Sequence, residues 1–112
     1  MTANRRRGEV AAELDGRTAT LCLTLGALAE LETAFAADDL TALVEKFSSG
    51  KLSARDMVRI IGSGLRGAGQ KVSDEEVAAM RSADGAAGFA RIVTELLTAT
   101  FGGGQEQRAP NP

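Results

Sequence analysis

The residues best placed to do chemistry are Gly62-Ser63-Gly64-Leu65-Arg66-Gly67, which spell GxGxxG. Between a strand and a helix, such glycines make a tight turn and bring a helix N-terminus to a dinucleotide pyrophosphate. Val58-Arg59-Ile60-Ile61 could pass for the strand, and Asp84 stands about 20 residues on, where an acidic ribose ligand would be sought. The context argues otherwise. Ile60, Ile61 and Leu65 continue a helical stripe, so the glycines fall at the end of a helix rather than before one. No second parallel strand follows within reach of a βαβ unit. The better reading is a loosened helix end whose glycines admit close backbone packing.

The remaining candidates are weaker. Cys22 is the single cysteine and the chain has no histidine to activate it as a nucleophile. Ser53, Ser63 and Ser73 have no base partner and no nucleophile-elbow context. Asp38-Asp39 and Asp74-Glu75-Glu76 resemble metal carboxylates, but both open helical patterns, where acids favour the helix dipole and cap free N–H groups. Without His, Trp or Tyr, most familiar catalytic and metal constellations cannot be built. The expectation is no catalytic residue, no metal and no cofactor.

The elements that would position these residues form a short series. Residues 1–7 read as a disordered lead. From Gly8 to Leu25 the pattern has a period near two, broken at Asp15-Gly16, a strong signal for a two-residue type I′ hairpin. Pairing Leu14 with Arg17, Ala12 with Ala19, Val10 with Leu21 and Gly8 with Leu23 puts Val10, Ala12, Leu14, Leu21 and Leu23 on one face. Glu9, Ala11, Glu13, Thr18, Thr20 and Cys22 then share the other. Thr24 is placed to cap a helix carrying Leu28, Leu31 and Phe35. A second helix starts near Asp38-Asp39 with the stripe Leu40, Leu43, Val44 and Phe47, and stops at Ser48-Ser49-Gly50.

Ser53 to Asp56 resembles a capping box, followed by Met57, Ile60, Ile61 and Leu65. Glycines 62, 64, 67 and 69 are expected to weaken and then end that helix. Ser73 to Glu76 is a full capping box for a short helix that turns Val77 and Met80 inward. After Asp84-Gly85, Phe89, Ile92, Val93, Leu96, Leu97 and Phe101 make the longest apolar stripe, which Gly102-Gly103-Gly104 stops. The predicted architecture is α+β, an N-terminal β-hairpin packed against a bundle of about five short helices. It forms a single domain over 8–101, with a disordered polar tail over 102–112.

Composition narrows the function classes. An apolar share of 44% and a charged share of 25% are ordinary for a globular chain. A net charge of −2 supplies no global positive field for nucleic acid, and Arg5-Arg6-Arg7 reads as a solvated end. No apolar run approaches the roughly 20 residues that span a bilayer, and no signal peptide is visible. One cysteine fits a reducing cytoplasm. The expected partner is another protein, or a second copy of the chain. The stripe Phe89, Ile92, Val93, Leu96, Leu97 and Phe101 is the candidate interface, because it is wide for a domain this small. Its burial in the domain's own core is the competing reading.

Several stretches carry a family resemblance. They are Arg7-Gly8-Glu9, the Asp-Gly hairpin, LTLGALAELE from Leu23 to Glu32, ARDMVRIIGSGLRGAG from Ala54 to Gly69, and VSDEEVAAM from Val72 to Met80. Together they resemble the tail-assembly proteins of gene transfer agents and related tailed phages, a family also labelled tail assembly chaperone or tail tube protein. The likeness runs from about Arg7 to Phe101 and singles out no functional residue. It implies a non-enzymatic protein of a phage-like particle, working in the cytoplasm of a host bacterium. Its implied partners are the long helical tape-measure protein, kept soluble while the tube polymerises, and the tail tube proteins. The resemblance also implies an alternative, a structural component of the finished tail.

Overall fold

The computed structural model describes residues 8–102, so the expected lead over 1–7 and the tail from 103 onward lie outside the described residues. The chain opens with strands β1 (Glu9–Leu14) and β2 (Arg17–Cys22). Five helices follow: α1 (Leu25–Ala34), α2 (Leu40–Ser48), α3 (Ala54–Gly67), α4 (Asp74–Ala78) and α5 (Gly85–Leu97). The predicted α+β class and its hairpin-plus-helices order are what the structure shows.

β1 and β2 pair antiparallel in the register set by the Asp-Gly turn, with Leu14 opposite Arg17, Ala12 opposite Ala19 and Val10 opposite Leu21. Asp15 (φ 55°) and Gly16 (φ 77°) both take the positive φ that a type I′ turn demands. Pairing starts at Glu9 with Cys22, so Gly8 and Leu23 lie beyond the ladder. Val10, Ala12, Leu14, Leu21 and Leu23 are nonetheless all buried. A contact far away in sequence fixes the hairpin tip: the Asp15 N–H donates to the Arg81 carbonyl at 2.8 Å, and the Arg81 N–H donates to Asp15 Oδ1 at 2.9 Å.

Side-chain caps start four of the helices. The Thr24 hydroxyl accepts from the Ala27 N–H at 3.1 Å, and the Asp39 carboxylate accepts from the Ala42 N–H at 2.9 Å. Ser53 with Asp56 and Ser73 with Glu76 form reciprocal capping boxes. Helix α5 has no side-chain cap at Asp84 and starts from Gly85 at φ +62°. Leu40 departs from its stripe. As the first helical residue of α2 it overshoots the core and is 41% exposed, while Leu43 and Phe47 are buried.

Two helices differ from the sequence reading in the course of their last turns. Helix α3 ends at Gly67, inside the glycine run expected to end it, but does not loosen at Gly62 and Gly64, which it passes unbroken. A glycine inside a helix costs about 0.5–1 kcal/mol against alanine, and here tertiary packing offsets that cost. A Cβ on Gly64 would stand 2.8 Å from Leu96 Cδ2 and 3.1 Å from Leu21 Cβ. On Gly67 it would collide with the Cys22 carbonyl. The glycines thus let α3 lie close against β2 and α5. Helix α5 passes into a π turn over Thr98–Gly102, so helical structure reaches the glycine run expected to stop it, with a change of helix type that the stripe did not signal. The Thr100 hydroxyl donates to the Leu96 carbonyl at 2.7 Å across that junction.

Candidate functional site: an apolar groove between α2 and α5

Helix α2 reaches the core through Leu43 and Phe47, and α5 reaches it through Ile92, Val93 and Leu96. The two helices do not close on each other along their whole length. An open groove of about 690 Å³ remains between them, and the segment leading into α3 forms its far side. Val44 and Phe47 line it from α2, Leu52 from the loop before α3, Met57 from the start of α3, and Val93 and Leu97 from α5. Phe101, on the π turn, forms one end. Its ring lies 6.3 Å from that of Phe47, which meets Phe35 edge-on at 5.5 Å. Offset and edge-on aromatic pairs of this kind hold the wall in shape.

The six residues of the C-terminal stripe divide between two surroundings. Ile92, Val93 and Leu96 are buried, with Leu96 directly against Gly64. Phe89, Leu97 and Phe101 are half-buried and packed against the core. Only Val93, Leu97 and Phe101 line the groove. The sequence reading missed the facing wall. Val44, Phe47 and Met57 read there as inward stripes of separate helices, and Leu52 stands in a loop with no periodic neighbour. A lone leucine between Gly50 and the Ser53 cap was the available signal.

The GxGxxG residues do not form a phosphate cradle. They lie inside α3, Gly62 to Leu65 are buried, and the start of the helix is at Ala54. Arg66 is held by two carboxylates instead: its Nη2 meets Glu30 Oε1 at 2.8 Å and its Nη1 meets Asp74 Oδ1 at 3.0 Å. Nη1 also donates to the Val72 carbonyl at 3.0 Å. Ser63, only 1% exposed, donates its hydroxyl to Glu30 Oε1 at 3.0 Å. The Arg66 hydrogen bond chiefly holds the Glu30 carboxyl below its usual range, assisted by Ser63 and opposed by partial burial. The same bond to Glu30 chiefly raises Arg66, against the desolvation that would lower it. This group ties α1, α3 and α4 together through side chains far apart in sequence, which no local pattern signals.

The other singled-out residues are scattered. Asp84 pairs with Arg91 at 2.9 Å. Cys22 is half-buried at the end of β2, with its carbonyl against Gly67. Among the described residues no group of three or more His, Cys, Asp or Glu side chains is placed to hold a metal ion. No described helix is long and apolar enough to cross a membrane.

The described residues thus form a small α+β module with an open apolar groove between α2 and α5. Comparison with known families gives that module its setting: a model described as "Phage tail tube protein, GTA-gp10" matches residues 7–103. The chain belongs to this gene transfer agent and phage tail family, and its role is a structural or assembly one in a phage-like tail. Searches of curated proteins and of solved structures give no match.

Proposed function

We propose that the chain is a tail assembly chaperone that works by reversible protein binding, without chemistry of its own, in the cytoplasm of the host bacterium. Its groove receives an amphipathic helical segment of the tape-measure protein and keeps that protein soluble while tail tube subunits assemble. One observation carries the reading: an open groove between helices, lined by apolar side chains that include Val44, Val93 and Leu97. A helix offering apolar residues at i, i+3, i+4 and i+7 fits such a surface. Family membership supplies the assembly setting.

The family's description as a tail tube protein favours a second reading, a structural component of the tail tube. The two roles separate in one experiment. The full chain is co-expressed with a tape-measure protein, and finished particles are purified in parallel. A chaperone co-purifies with the tape-measure protein and is missing from particle mass spectra. Stable presence in particles, together with failure to bind the tape-measure protein, defeats the chaperone reading.

A further inference from the structure

We draw no further inference here: the strongest candidate, the outward-facing side of α1 where Leu25 is 79% exposed beside Gly26 and Ala29, carries nothing because no feature of the structure shows what covers this apolar face.

Discussion

Arg66 illustrates how a residue that looks functional in sequence is consumed by structure. Its guanidinium would suit a phosphate, but Glu30, Asp74 and the Val72 carbonyl already engage both of its terminal nitrogens. The consequence is measurable through Glu30. Its folded-state pKa lies below the ordinary 4.5, so ionised Glu30 stabilises the fold above that pH. That contribution drains away as pH falls through the depressed value. Glu30→Gln should therefore flatten the acid limb of the stability–pH curve below about pH 4.5. At neutral pH the cost should stay under about 1 kcal/mol, because the pair is partly exposed and screened. Denaturant midpoints measured across pH check this, and an unchanged acid limb would show that the Arg66 contact does not form in solution. Ser63→Ala removes a buried donor to the same carboxylate and should cost about 0.5–1.5 kcal/mol.

The elements show where local sequence suffices and where it does not. The hairpin register was legible because Asp15-Gly16 fixes the turn and a period of two fixes the faces. The helix starts at Ser53 and Ser73 were legible because a capping box involves only neighbouring residues. The unbroken course of α3 through Gly62 and Gly64 was not. Propensity counts Gly62 and Gly64 as breaks, whereas their value lies in contacts with Asp74, Leu96 and Leu21 that come from other elements. The clamp from Asp15 to Arg81 was hidden for the same reason. The π turn after Leu97 has no local signature.

Two glycines in two helices should thus respond with opposite signs. Gly64→Val forces a branched side chain against Leu96 and Leu21 and should cost about 1–3 kcal/mol. Gly26, exposed in the first turn of α1, has only the Thr24 hydroxyl within ordinary contact of an added Cβ. Gly26→Ala should stabilise by about 0.5–1 kcal/mol. Equal effects in chemical denaturation would show that α3 does not pack closely on β2.

At the scale of the molecule, one apolar stripe on α5 serves two purposes. Leu96 and Ile92 complete the core, while Val93, Leu97 and Phe101 also border an opening that faces α2. Sequence periodicity finds such a stripe but cannot divide it, because the division depends on how far α2 stands from α5 in space. The candidate interface was therefore legible as a set of residues but not as a site. Its other half came from Val44, Phe47, Leu52 and Met57.

The claim that this groove receives the tape-measure helix is tested most directly by placing a charge in it without disturbing the core. Thr94 is exposed and lines the groove, so Thr94→Arg should leave the denaturation midpoint nearly unchanged. Gln70→Arg, an exposed position that does not line the groove, serves as the control. By titration calorimetry against the tape-measure protein, Thr94→Arg should weaken binding about tenfold or more, the equivalent of roughly 1.4 kcal/mol, while the control binds like the unmodified chain. Equal affinity for the unmodified chain and both variants would place the partner on another surface and contradict the account.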